Sequence, residues 1–152
     1  MSATTPMKQR LEMHKASPEA YQAMRTLSAY TGECGLEKSL LELVKTRASQ
    51  INGCAFCIQM HTRDARKLGE TEERLHLLAA WREAPVYTDR ERAALAWTEA
   101  LTLLTEGHAP DEVYEQVRAQ FSEEEIAKLS LAIATINAWN RLAVGMRFIP
   151  KV

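Results

Sequence analysis

Residues 42–61 read ELVKTRASQINGCAFCIQMH, and their spacing bears on both architecture and chemistry. Leu40, Leu41, Val44, Ala48 and Ile51 recur at helical spacing and form one apolar stripe, which predicts a helix from about Ser39 to Ile51. Asn52-Gly53 is a turn signal. A second helix is expected from about Cys54 to Leu68, with Gly69 as its terminator. Glu42 lies almost opposite the apolar stripe, where a glutamate ordinarily faces solvent. Glu42, Thr46, Ser49 and Gly53, however, share a second stripe whose mostly small side chains would let another helix pack closely. If Ile51-Asn52-Gly53 folds the two helices into an antiparallel hairpin, Glu42 and His61 stand equally far from the fold point. The carboxylate is then level with the imidazole.

Outward from this hairpin, helix signals recur and strand signals are absent. Ser17-Pro18-Glu19 supplies an N-cap, a proline at the first helical position and an acid in the first turn. Gly32 and Gly35 mark a break. Thr71 followed by two glutamates opens another helix that ends before Pro85, and a short one is expected from about Pro110 to Phe121. Thr88-Asp89-Arg90-Glu91 and Ser122-Glu123-Glu124-Glu125 are capping boxes, each before a long apolar-periodic run. The expectation is a single-domain, all-α helical bundle of about seven helices over residues 17–152, preceded by an N-terminal arm over residues 1–16 that is loose or docked on a partner. The last helix, SLAIATINAWNRLAVG, is apolar around most of its circumference and is expected to be covered on every side, as a central core helix or in part by a subunit interface. Trp81, Trp97 and Trp139 are expected to anchor the core or that interface.

Composition narrows the function. The chain has 152 residues, 46% of them apolar, which suits one domain with a real core. Its 19 basic and 20 acidic residues leave a net charge of −1, with no long run of either sign. Neither nucleic acid nor an anionic membrane is expected as a partner. MSATTPMKQRLEMHK lacks the apolar stretch of a secretory leader, and the apolar run from Leu129 to Gly145 carries Arg141 and several Asn and Thr residues, so no span is expected. The expected compartment is the cytoplasm, where a Cys-x-x-Cys pair among three cysteines points to catalysis or metal binding more than to a structural framework.

The chemistry rests on Glu42, Cys54, Cys57 and His61. At about 100° per residue, Cys57 lies roughly 60° from Cys54 around the helix axis with His61 between them, so all three share a narrow face from which Phe56 points away. Cysteines in a first helical turn meet unpaired N–H groups and the positive dipole end, which favour thiolate. A thiolate nucleophile, a second thiol to close a disulfide, and a His–carboxylate pair to move protons make a redox site. Two other arrangements use the same residues. One is a zinc site in which Glu42 completes Cys54, Cys57 and His61; the other is a pair of inert, buried cysteines. Cys34 between two glycines is taken as incidental. His108 is placed in a loop or at a helix start, and His14 and His76 carry no constellation.

The pattern Glu-x11-Cys-x-x-Cys-x3-His resembles the alkylhydroperoxidase D (AhpD-like) branch of the carboxymuconolactone decarboxylase family, residue for residue at Glu42, Cys54, Cys57 and His61. The stretch INAWNRLAVG, Ile136 to Gly145, is similar to the closing helix of that family's small single-core members. The resemblance implies an all-helical oligomer, trimeric or hexameric, that reduces hydroperoxides through a Cys-x-x-Cys disulfide cycle without metal or organic cofactor. It implies that Cys57 attacks the peroxide, that Cys54 resolves it, and that Glu42 and His61 relay protons. The spacing agrees, since His61 is the i+4 neighbour of Cys57, and Cys54 at the helix start is expected to be the sulfur better exposed to a reductant. The implied reductant is a dithiol or a lipoyl-type group. Better-studied members carry a further His immediately before the second cysteine; Phe56 stands there in this chain. The decarboxylase branch lacks the cysteine pair, so lactone chemistry is not expected. The rival functions are a thiol–disulfide oxidoreductase acting on protein partners and a non-enzymatic redox sensor.

Overall fold

The computed structural model describes residues 2–152. Among them are eight α-helices and one 3-10 helix: α1 (Met13–Ala16), α2 (Pro18–Gly32), α3 (Lys38–Asn52), α4 (Ala55–Lys67), α5 (Glu72–Leu77), the 3-10 helix Leu78–Glu83, α6 (Asp89–Thr102), α7 (Asp111–Gln120) and α8 (Glu123–Met146). Two differences from the expected seven have local causes. Met13–Ala16 forms a single extra turn, closed by the Ser17 N–H on the Met13 carbonyl at 2.9 Å. The helix opened by Thr71 tightens to 3-10 form at Leu78, where side chains three apart eclipse one another. That places Leu78 and Trp81 together in the same buried cluster with Leu43 and Leu95.

The expected caps are present. The Ser17 hydroxyl accepts from the Ala20 N–H with Pro18 in the first helical turn. Reciprocal boxes join Thr88 to Glu91 and Ser122 to Glu125. Such caps satisfy donors that no helix can satisfy internally and are worth about 1 kcal/mol each.

Helix α3 runs through the middle of the bundle, packed against α4, α6 and α8. Leu40, Leu41 and Val44 meet Ala94 and Trp97 of α6 and Leu129 and Ile133 of α8 in the main core. The three indoles also satisfy their N–H groups, as buried tryptophans usually do. Trp81 donates to Glu99 and Trp97 to Ser130, both at 2.9 Å, and Trp139 donates to Ser28. Leu129 is fully buried, so Leu129→Ala is expected to cost about 2–5 kcal/mol through lost burial and the cavity left behind. Denaturant unfolding monitored by circular dichroism measures that loss.

The reading of α8 as a central core helix enclosed within one chain is corrected by the structure. Its neighbours α2, α3, α4, α6 and α7 cover one side, while Leu131 (37% exposed), Ala134 and Val144 (50% exposed) face outward. The other helices of one chain do not reach that side. Within the expected N-terminal arm, Met13 is buried, and Arg10 donates its backbone N–H to Met146 and its guanidinium to Gly145 at the end of α8. No helix among the described residues is long and apolar enough to cross a membrane.

Candidate active site

The α3–α4 hairpin forms as its spacing predicts, and glycine is what permits the turn. Gly53 adopts a left-handed backbone with φ 67°, closing α3 by donating to the Gln50 carbonyl, while the Cys54 N–H reaches Ser49 at 3.0 Å. A side chain at that φ would be strained. A partly buried amide network fixes the turn against α8. Asn52 donates to the side-chain oxygens of both Asn137 and Asn140 at 2.9 Å, and Asn140 donates to the Ser49 hydroxyl at 3.0 Å.

The second stripe of α3 carries the packing inferred for it. Thr46 and Ser49 are fully buried, their hydroxyls donating back to the Glu42 and Lys45 carbonyls at 2.7 Å, which leaves room for α4 to lie close. Glu42 is therefore not a surface residue: it is 9% exposed. Its Oε2 meets Nδ1 of His61 at 2.9 Å, and its Oε1 lies 3.5 Å from Nζ of Lys45. Burial alone would push the Glu42 carboxyl up. The hydrogen bond and charge of His61, with the ammonium of Lys45, outweigh it and hold the group below the ordinary carboxylate value.

Cys54 and Cys57 are joined in a disulfide, with their Cα atoms 5.3 Å apart. Cys54 is the N-cap of α4 and not its first helical residue; its Sγ accepts the Cys57 N–H at 3.2 Å. Two expectations about this turn are corrected. Cys54 is not the more exposed residue: both cysteines are buried, at 1% for Cys54 against 4% for Cys57, in one small cluster with Ala143 of α8. Phe56 does not point away from the site. Its ring meets Phe148 edge-on at 5.4 Å, since the tail after α8 returns across the start of α4 and encloses both flanks of the turn.

Above Cys57 lies a cavity of about 470 Å³, within the usual range for small-molecule sites. Cys57, His61, Phe56 and Met60 come from α4, Tyr21 and Arg25 from α2, Ile136 and Trp139 from α8, and Phe148 from the tail. Tyr21 meets Trp139 edge-on at 6.0 Å. Cys54 is not part of this lining. Sequence spacing identified Cys57 and His61 but none of the aromatic wall, which assembles from segments more than a hundred residues apart.

The other residues singled out in the sequence fall elsewhere. Cys34 is a free, buried thiol in the main core beside Leu36 and Ile126. His108 lies in the loop before α7 with φ 54°, His76 is exposed on α5, and His14 packs beside Tyr21. Among the described residues, the side chains that could share a cation are Glu42, His61 and Asp64, without either cysteine, so the four-ligand zinc arrangement is not assembled.

A buried Cys-x-x-Cys disulfide thus sits on an all-helical scaffold that also carries a buried carboxylate–imidazole pair. Residues 17–100 match the model of the carboxymuconolactone decarboxylase family, and the chain belongs to that family, in its AhpD-like branch. It is similar to the uncharacterized protein YdfG of Bacillus subtilis, 44% identical over 92% of this chain and 95% of that one. It is also similar to a crystal structure from Agrobacterium tumefaciens of a protein of unknown function, provisionally called an antioxidant defence protein AhpD. That match has a TM-score of 0.94 and 49% identity, and covers 95% of this chain and 99% of the other. The debrominase Bmp8 shares the fold alone, with a TM-score of 0.79 and 18% identity over 91% of this chain and 74% of its own.

Proposed function

We propose that the protein is a thiol-dependent hydroperoxide reductase. The observation that carries this is the 2.9 Å Glu42–His61 bond on the wall of a cavity that also exposes Cys57. In the reduced protein, His61 oriented by Glu42 takes the proton of Cys57, and the thiolate attacks the peroxide oxygen. The O–O bond breaks, the alkoxide takes the proton held on His61 and leaves as an alcohol, and Cys57 is left as a sulfenic acid. Cys54 then attacks the Cys57 sulfur, expelling water and forming the disulfide seen here. A dithiol or lipoyl-type reductant closes the cycle, so the two cysteines carry both electrons without metal or organic cofactor. Phe56, in place of the family's additional histidine, leaves this relay with one imidazole.

Burial of both sulfurs favours this function over exchange with disulfides on folded proteins, because a protein surface cannot enter a narrow cavity. Turnover of an organic hydroperoxide with dithiothreitol, run beside reduction of a model protein disulfide, tests it; activity only in the second assay would reject it. The apolar lining sets a substrate order. A cumene-sized hydroperoxide should exceed hydrogen peroxide in kcat/KM by about 10–100-fold, the range that burying two or three further apolar groups supplies.

The expected homo-oligomer, trimer or hexamer, finds support in the outward face of α8. Leu131 is exposed there, and Ala134 and Ala138 line a groove with Leu101 and Leu104 of the neighbouring segment. Light scattering at micromolar concentration is expected to show an assembly; a well-folded monomer would reject it.

A further inference from the structure

Most of the wall of the cavity above Cys57 is apolar or aromatic, but the permanent charge on it has one sign. Arg25 of α2 and Lys45 of α3 line it, and none of the described lining residues is an aspartate or glutamate. Arg25 is exposed, lies over the Tyr21 ring at 5.8 Å, and meets no carboxylate among the described residues. The guanidinium groups of Arg74 and Arg90, by contrast, are each shared between two carboxylates. Lys45 has Glu42 as its carboxylate partner, at 3.5 Å. That carboxylate is held closer by His61, at 2.9 Å, and does not border the cavity.

The hydroxyls of the wall are already committed within the protein. Thr31 and Thr135 donate to the Ser28 and Leu131 carbonyls at 3.0 and 2.7 Å, and the Ser28 hydroxyl accepts from Trp139. Beyond His61, the donors left for a ligand are therefore the two cations. A wholly apolar ligand would displace water from them and return nothing, which is costly. An anionic group would meet charge-assisted donors, the stronger class of hydrogen bond.

We propose that this cavity selects amphipathic anions, and that the hydroperoxide it serves carries a carboxylate on an apolar body, held by Arg25 and Lys45. This deepens the hydroperoxide-reductase reading above and rests on it for calling the ligand a substrate. At about 470 Å³ the cavity has room for a carboxylate on a cumene-sized body. If equant, it spans roughly 10 Å, about one Debye length at 0.1 M salt, so both cations act on any charge placed inside.

The test compares two probes that cannot react, 4-isopropylbenzoate and its neutral isostere 4-isopropylbenzamide, titrated calorimetrically into the full wild-type chain. The carboxylate should bind at least about tenfold more tightly in low salt, as a hydrogen bond to a charged group allows. The ratio should narrow as sodium chloride is raised. Arg25→Gln, at an exposed position that leaves the core untouched, should cut it by about threefold or more, and Arg25→Gln with Lys45→Gln should bring it near one. Equal or tighter binding of the amide would overturn the proposal, as would a preference that Arg25→Gln leaves unchanged. A kinetic arm sets cumene hydroperoxide against its para-carboxylate derivative. The carboxylate should have the higher kcat/KM in wild type, and Arg25→Gln should lower that ratio. Turnover of cumene hydroperoxide with no gain from the carboxylate would overturn the proposal and leave the peroxidase reading standing. Binding needs no peroxide, so a carboxylate preference without turnover of either hydroperoxide would reject the peroxidase reading and uphold the anion selectivity of the cavity.

Discussion

Cys57→Ser should reduce hydroperoxide turnover to the uncatalysed background, whereas Cys54→Ser should complete one oxidation and stop. The asymmetry follows from where each sulfur lies. Cys57 lines the same cavity as His61, where in the proposed cycle it meets a peroxide and loses its proton. Cys54 is buried outside that lining and bonded to Cys57. Serine at Cys57 removes the nucleophile, and an alcohol does not replace a thiolate in attack on an O–O bond. Serine at Cys54 removes only the partner that closes the disulfide, leaving a sulfenic acid on Cys57 that a dimedone-type probe traps and mass spectrometry locates. Stopped-flow consumption of one equivalent of peroxide by Cys54→Ser, and none by Cys57→Ser, is the kinetic counterpart. Trapping on Cys54 in Cys57→Ser, without the converse, would reverse the assignment.

The part of this site that sequence made legible is the part set by local periodicity. The stripe Glu42, Thr46, Ser49 and Gly53 encodes a close-packed helix face, and a glycine turn doubles α4 back along it; those two facts suffice to bring Glu42 to His61. Helical spacing gives angles about one axis, however, and says nothing of what stands at each angle. The direction of Phe56 relative to Cys57 follows from the helix, but enclosure on that flank comes from Phe148, more than ninety residues further along. Cys54 was misjudged for the same reason. A position at a helix start is open only if nothing packs there, and Ala143 does. The cavity itself, with Tyr21 on α2 and Trp139 on α8, is tertiary throughout. The split of the helix after Leu77 is likewise absent from the apolar spacing: the backbone leaves helical angles at Ala80 (φ −120°, ψ 33°), between the buried Leu78 and Trp81.

General acid–base help is typically worth about 10²–10⁴-fold, and Glu42→Gln and His61→Ala should each slow peroxide reduction by at least about tenfold. A cysteine with an ordinary pKa near 8.5 is only a few per cent thiolate at neutral pH, so a placed base raises the reactive fraction and returns a proton to the leaving oxygen. Histidine is suited to that range, and Glu42 holds Nδ1, which leaves Nε2 as the nitrogen that would take the proton in the proposed cycle. Glutamine keeps the size of Glu42 but loses the charge that stabilises imidazolium. Because both residues act on one proton path, the double variant should be far less impaired than the product of the two losses. Alkylation of the reduced Cys57 thiol, followed against pH, reads thiolate formation directly and should fall in parallel. Stability gives a separate check with a definite sign. The Glu42 carboxyl is held below its ordinary value in the folded state, so its stabilising contribution is complete above the unfolded carboxylate pKa and is lost as pH falls through the lower folded value. Wild type should thus exceed Glu42→Gln in stability at neutral pH, and the gap should close in acid. Near-wild-type peroxide rates and alkylation in Glu42→Gln, with that stability gap intact, would leave the Glu42–His61 pair holding α3 to α4 and nothing more.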